Sequence, residues 1–558
     1  MKNEAMKDRL LIIAMLTLLF TGAALQTLFG AALGSKPPFI LSNLVFSGLA
    51  LIHAWHMLGW RRAATFFGVV FVLAWIAESL SIATCLATCY HYTPVLGWRI
   101  GQVPLFVPLG WFAMIYNSYV IVNLAAEGHP VSTKGDGVWM AWLALLTAFV
   151  MATWDLTLDP YMVIKEQAWV WEQGGIYFGI PAANYVSWVE VVFIITVVYR
   201  MAERGLPLPK KKISPWMAGV PVAGYALMSL PAVFIGVPDA TRVLAPFTAG
   251  IPILMAVAPL MQMGRPHFRE CGTYLHRLVA PDHVVSDTGS RILFIMLAAA
   301  FLVHVGMNGL RLQQGGRLPF DQMTVFFSIF VVLHACFMLG WRRALWFFGA
   351  TAFISFLFEY IGVKTGLVFG HYYYTDVLGW KILGAVPWPI PLAYFMVLYP
   401  STMMANLAIH GAPVTNKLPW GWSAFAALLG ALIMSAWDLT MDPYMSLQQK
   451  AWIWTDGGRY FGIPFLNFSG WVFTTFTAGL AYRLIEYRIP LKPMGHMSTL
   501  VVIAPILCYA VLPIGDLAMG YPEATKVIAP FSMGIAVIAA LMRMGEPADL
   551  KAGEEHAD

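Results

Sequence analysis

The chain has 558 residues, 59% of them hydrophobic and only 11% charged, with a mean hydropathy of +0.69. So little charge over such a length excludes a water-soluble domain and predicts a home in a lipid bilayer. A net charge of +5 and five cysteines point neither to nucleic acid as a partner nor to a disulfide framework.

Apolar stretches close to the roughly 20 residues needed to cross a bilayer follow one another along the chain. In the first half they lie near 10–33, 38–58, 63–86, 104–126, 137–155, 180–201, 216–236 and 244–262. In the second they lie near 290–310, 320–340, 344–368, 388–409, 420–437, 463–486, 498–517 and 528–542. None alternates in polarity every second residue, as a barrel strand would. The prediction is an all-α polytopic integral membrane protein of about 16 transmembrane helices, because helices satisfy their own backbone in lipid.

The two halves are copies. MLGWRRA at Met57–Ala63 returns at Met338–Ala344, WDLTLDPYM at Trp154–Met162 returns as WDLTMDPYM at Trp437–Met445, and YFGIP at Tyr177–Pro181 returns at Tyr460–Pro464. APF at Ala245–Phe247 returns at Ala529–Phe531, and across these matches the offset creeps only from 281 to 284 residues, which is a duplicated domain rather than a solenoid unit. The expected organisation is a repeat over 1–262, a polar connector over 263–289, a second, better-preserved repeat over 290–545 and an acidic tail over 546–558.

Eight spans per repeat make the repeats parallel in the membrane. The positive-inside rule places both termini in the cytoplasm and the chain in the cytoplasmic membrane. Arg61 with Arg62, Lys210–Lys212 with Arg200 and Arg204, and Arg265 with Arg269 then face inward. Lys36, Arg99, Lys165 and Arg242 face outward, joined in the second half by Arg311, Arg317, Lys450 and Arg459. Cys85 and Cys89 have His91 nearby, but their counterparts read as Gly366 and Gly370, so helix packing is expected there and no metal site.

Ionisable groups inside a membrane cost on the order of 2.5–3.5 kcal/mol each on insertion scales and are functional candidates by default. Glu78 and Glu359 hold the same place in the third span of each repeat. Asp155 and Asp438 end the fifth span, Asp159 and Asp442 follow four residues later, and Pro160 and Pro443 are expected to close the helix there. Asn184 and Asn467 open the sixth span. From Arg343 to Glu359 the helix climbs about 24 Å, which brings glutamate, aspartates and asparagine to one depth. They share a pocket if the third, fifth and sixth helices are neighbours; otherwise they form hydrogen bonds that only lock helices together. Tyr373, Trp437, Trp452, Trp454, Tyr460 and Trp471 surround the acids of the second repeat. They read as an interfacial aromatic belt, or as a lining for a flat conjugated ligand or a transient carbocation.

The segments FEYIGVKTGLVFGHYYYTDVLGW (Phe358–Trp380), VPWPIP, WDLTMDPYM and WIWTDGGRYFGIPFLNFSGW resemble the membrane carotenoid-biosynthesis family that includes carotenoid 1,2-hydratases and bisanhydrobacterioruberin hydratases. The resemblance covers most of each half, although family members usually carry one such domain. It implies addition of water to the terminal double bond of an acyclic carotenoid, with the carotenoid, the bilayer and other carotenoid-biosynthesis enzymes as partners and no cofactor. Such hydration needs a proton donor, an ionised neighbour for the tertiary cation and a polar group to orient water. Asp438 and Asp442 are expected to divide the first two roles, with Glu359 as a third acid and Asn467 positioning water; Glu78, Asp155, Asp159 and Asn184 are the counterparts. The second repeat keeps Gly362, Gly366, Gly370 and Gly470, where the first has Ser81, Cys85, Cys89 and Ser187. Two other classes remain open: a Mg²⁺-dependent intramembrane prenyltransferase, since DLTLD and DLTMD echo a DxxxD motif, and a transporter or lipid-binding protein built on parallel repeats.

Overall fold

A computed structural model describes residues 2–32, 36–86, 88–132, 137–209, 213–263, 320–491 and 499–544, with single positions at 295, 299, 302–303 and 306. Most of the span expected at 290–310 lies outside the described residues, as do the connector beyond Met263, the 546–558 tail, Lys210–Lys212, Arg265, Arg269, Arg311 and Arg317. The chain divides into two compact units, Met1–Glu270 and Cys271–Asp558.

The first unit runs through helices Lys2–Ala32, Lys36–Leu58, Trp60–Thr84, Phe106–Glu127, Gly137–Ile164, Ala182–Glu203, Pro215–Ile235 and Ala240–Gln262. The second runs through Phe320–Leu339, Trp341–Thr365, Pro389–His410, Trp420–Pro443, Phe465–Arg488, Thr499–Met519 and Ala524–Arg543. Among the described residues 11 helices are long and apolar enough to cross a membrane. Phe465–Arg488 is not one of them. It carries Asn467, Thr474, Thr475, Arg483 and Glu486, all buried, so its polarity is turned into the unit rather than towards lipid. The architecture is that of an all-α polytopic membrane protein.

Pro389–His410 is buried almost along its whole length and forms the axis of its unit; Phe106–Glu127 does the same in the first. The helix bearing Asn467 packs against both the glutamate helix Trp341–Thr365 and the aspartate helix Trp420–Pro443, and the same three-helix arrangement recurs around Asn184. This is the neighbour relation on which a shared pocket depends.

The prolines do not end their helices. Gly137–Ile164 continues past Pro160, and the aspartate helix passes Pro443 into a π turn over Tyr444–Gln448. A proline within a helix leaves the carbonyl four residues earlier without its N–H donor. Here the Tyr177 hydroxyl donates to the Leu156 carbonyl at 2.6 Å, and the Tyr460 hydroxyl donates to the Leu439 carbonyl at 2.7 Å. Each freed acceptor is satisfied inside the membrane by a phenol, as a low-dielectric setting requires.

Of each arginine pair, only Arg61 and Arg342 are exposed; Arg62 and Arg343 are buried. Arg343 pairs with Glu486 and donates to the Thr415 carbonyl at 2.7 Å, while Arg483 reaches Glu486 at 2.9 Å and Asn406 at 2.6 Å. In the first unit Arg62 and Arg200 approach Glu203 only to 3.8 Å. The second arginine of the repeated motif therefore ties helices together as well as adding charge at one membrane face.

Short antiparallel ladders, which the sequence reading lacks, join the loops at the opposite helix ends. Tyr90–Tyr92 pairs with Trp169–Trp171, and Tyr372–Tyr374 pairs with Trp452–Trp454 in the register Tyr372 to Trp454 and Tyr374 to Trp452. Each ladder links the chain leaving a glutamate helix to the chain leaving an aspartate helix. It also corrects one counterpart: the Cys89 carbonyl accepts from Glu172 as the His371 carbonyl accepts from Thr455, so Cys89 matches His371 and not Gly370. Cys85 and Cys89, expected to serve helix packing, form a disulfide. At the same place in the second unit the His371 ring lies against Gly366, whose φ of +71° caps the helix in the left-handed region that favours glycine.

Candidate functional site

In the second unit the glutamate helix, the aspartate helix, the asparagine helix and the Tyr/Trp ladder close around a cavity with about 430 Å³ of empty space, open mouth included. Glu359, Asp442 and Asn467 supply its polar wall; Trp437, Trp452, Trp454 and Trp471 supply much of the aromatic wall. Aromatics packed around buried acids go beyond what an interfacial belt requires.

Two carboxylates line this cavity, and their partners differ in kind. Asp442 Oδ1 accepts from the indole N–H groups of Trp452 (2.7 Å) and Trp454 (3.3 Å), and Asp442 Oδ2 accepts from Asn467 Nδ2 at 2.6 Å. Indole and amide N–H groups only donate, so this environment is built for a carboxylate. Glu359 accepts instead from phenols: Tyr372 and Tyr374 (2.8 Å) on Oε2 and Tyr394 (2.8 Å) on Oε1. A phenol can donate or accept, so Glu359 can hold a proton or a charge within one framework. Burial, reinforced by the Glu359 charge, pushes the hydroxyls of Tyr372 and Tyr374 well above their ordinary range, which keeps them protonated.

Asp438 is fully buried behind the cavity wall. Its Oδ2 accepts from the same Asn467 amide at 2.9 Å, and its Oδ1 has no hydrogen-bond partner among the described residues. It touches the site through Asn467 rather than directly. Two sequence-predicted lining residues are corrected. Tyr373, the middle residue of its strand, points outward and is 51% exposed, because successive strand residues face opposite sides. Tyr460 is spent on the Leu439 carbonyl and does not line the cavity. The sequence reading missed Tyr372, Tyr374, Tyr394 and Phe369. Tyr372–Tyr374 is an unbroken run of tyrosines with no alternation of its own; only the counterpart Tyr90–His91–Tyr92 alternates, and the convergence of Tyr372 and Tyr374 on Glu359 depends on the ladder.

The first unit repeats the plan with changes. Glu78 accepts from Tyr90 and Tyr92 (2.8 Å). Asp159 accepts from Trp169 (2.7 Å) and Asn184 (2.6 Å), and Asp155 lines the cavity directly. Trp111 stands where the second unit has Tyr394: Trp111 stacks on Trp188, and Tyr394 stacks on Trp471, both at 4.4 Å between ring centres. The cavity is larger, about 1000 Å³ with its mouth, and extends to Asn43, Phe46 and Met228.

Among the described residues no group of three or more His, Cys, Asp or Glu side chains gathers as metal ligands. Both oxygens of Asp159 and of Asp442 face N–H donors, an arrangement suited to holding an anion rather than sharing a hard cation with a diphosphate.

Over 171 residues the chain is 27% identical to the bisanhydrobacterioruberin hydratase of Haloarcula japonica, a match covering 30% of this chain and 55% of that protein. The chain thus spans about half the length of the curated relative it matches. No solved structure matches. The family described as carotenoid biosynthesis protein matches twice in tandem, over residues 39–257 and 320–541, together well over half of the sequence. This chain, with its two acid-and-aromatic sites, therefore belongs to the carotenoid biosynthesis protein family.

Proposed function

We propose that the chain adds water to the terminal carbon–carbon double bond of an acyclic carotenoid end group, without a cofactor, in the cell membrane. Both termini lie on the cytoplasmic side, and sixteen spans form two parallel eight-helix repeats over 1–262 and 290–545. The observation that carries the reading is the division of labour in the second cavity: a carboxylate fixed by pure donors faces a carboxyl group held by phenols, across an aromatic lining.

The chemistry then runs as follows. Glu359 gives its proton to the less substituted alkene carbon, the π pair forms the new C–H bond, and one of its phenols turns to donate in the proton's place. The tertiary cation left behind lies among Trp437, Trp471 and Tyr394, whose ring faces stabilise positive charge, with the Asp442 charge nearby. Water adds through oxygen and loses a proton to Asp442, from which it returns to Glu359 through water in the cavity. Asn467 positions Asp442, and Asp438 holds Asn467 from behind. The matching groups of the first repeat, Glu78, Asp155, Asp159 and Asn184, equip it for the same reaction. The relative named as a hydratase supports the reaction type.

Expression in cells that accumulate lycopene, with mass spectrometry of the extracted pigment, tests this directly. One or two added waters, about 18 mass units each, with an unchanged visible spectrum is the expected outcome. Unaltered lycopene and equally unaltered bisanhydrobacterioruberin would refute it.

A further inference from the structure

The glycines that distinguish the second repeat have one shared neighbour. Gly362 lies three residues after Glu359, and Gly470 lies three residues after Asn467, so each sits on the same helix face as a polar wall residue. A Cβ on Gly362 would lie 2.7 Å from Phe369 Cδ2, and one on Gly470 would lie 2.7 Å from Phe369 Cδ1 and against the Val368 carbonyl. Phe369 is 1% exposed, packs edge-on against Tyr372 and lines the cavity. The two glycines thus form a seat, and the ring they hold narrows the site beside its proton carrier.

The first repeat lacks both seat and ring. Ser81 and Ser187 stand at the glycine positions, and no aromatic residue occurs between Cys85 and Cys89 in the sequence. Its cavity is more than twice as large and also opens beside Gly110, where the second repeat has Ala393. We propose that Phe369, seated on Gly362 and Gly470, is a specificity-determining residue that restricts the second site to slender acyclic end groups, while the first site also admits a bulkier, ring-closed end. One chain thereby carries two sites that sort polyene ends by width. A single added or missing methylene in an apolar pocket changes selectivity by about 10–200-fold, so a whole phenyl ring is ample for such sorting.

This deepens the hydratase reading, but its test does not need turnover. The full-length chain in detergent is titrated with lycopene and with β-carotene, both ends of which are ring-closed, and bound pigment is counted by quenching of tryptophan fluorescence. Lycopene is expected to fill two sites per chain and β-carotene one. In Phe369→Ala, and to a lesser degree in the milder Phe369→Leu, a second equivalent of β-carotene is expected to bind, with affinity raised at least tenfold. Two equivalents of β-carotene on the unsubstituted chain would overturn the proposal. So would a single equivalent on both folded variants. If lycopene binds twice and is never hydrated, the hydratase reading falls while the sorting of ends stands.

Discussion

In the second repeat three phenols converge on Glu359; in the first, two phenols reach Glu78 and an indole stands in the third place. The aspartates differ less, since each repeat gives its second aspartate an indole and the amide of an asparagine. Around this common polar set the walls have diverged: Phe369 on its glycine seat is present in one repeat only, and the cavity volumes differ more than twofold. Acids kept while walls change are the pattern of a reaction retained and a ligand altered. A network that served only to lock helices would tie its acids to its walls, and the two would have changed together.

The largest effect should come from the proton carriers. Glu359→Gln keeps the hydrogen-bonding shape but cannot transfer a proton, and a general acid is typically worth about 10²–10⁴-fold in rate. Chains carrying Glu359→Gln or Glu78→Gln alone should each lose one site, so that singly hydrated pigment builds up ahead of the doubly hydrated one, and the chain carrying both should add no water, read by mass spectrometry. Loss of both waters from one substitution would show that the repeats do not act independently.

A second contrast concerns stability. The Arg343–Glu486–Arg483 cluster is tightly paired, while its counterpart around Glu203 is held at 3.8 Å. Removing one member of a buried ion pair strands the other and costs about 3–5 kcal/mol. Arg343→Ala should therefore lower the melting temperature in detergent clearly more than Arg62→Ala, whose guanidinium is held chiefly by the Leu206 carbonyl. Equal losses would show that the looser contacts matter as much as the tight ones.

The helix–proline arrangement offers a smaller and more even comparison. Tyr460→Phe and Tyr177→Phe each leave a buried carbonyl without a donor, at about 1–3 kcal/mol. Similar drops in melting temperature are expected from the two, with turnover at low temperature retained, because neither hydroxyl reaches its cavity. A selective loss of turnover in Tyr460→Phe would return that residue to the site.

Much of this is legible in the amino-acid sequence. Hydropathy marks an all-α membrane protein, with 11 of the described helices long and apolar enough to span, and duplication singles out the acids, because two diverged copies expose what both retained. Depth along the helices places glutamate, aspartates and asparagine at one level. What the sequence hides is contact made by tertiary geometry. Tyr394 is one tyrosine in an apolar helix until helix packing aims it at Glu359. Tyr373 reads as well as its neighbours until strand pairing turns it outward. Pro443 reads as a helix end because the phenol that satisfies the freed carbonyl lies 21 residues further on.

The smallest expected effect tests the difference at the third donor. In Trp111→Tyr the first repeat regains a phenol beside Glu78, and the reverse change, Tyr394→Trp, takes one from Glu359. A hydrogen bond to a charged group is worth about 1.5–3 kcal/mol, but an indole N–H is also a donor, so only part of that is at stake. What the indole cannot do is accept, and so it cannot share in moving the proton. Measured in chains whose other repeat is silenced, Tyr394→Trp should slow the second site severalfold with little change in pigment affinity, while Trp111→Tyr should quicken the first by a similar factor. Opposite changes in rate at constant affinity would assign the third phenol to proton transfer. Changes confined to affinity would assign it to the shape of the wall, and the difference between the repeats would then concern the ligand alone.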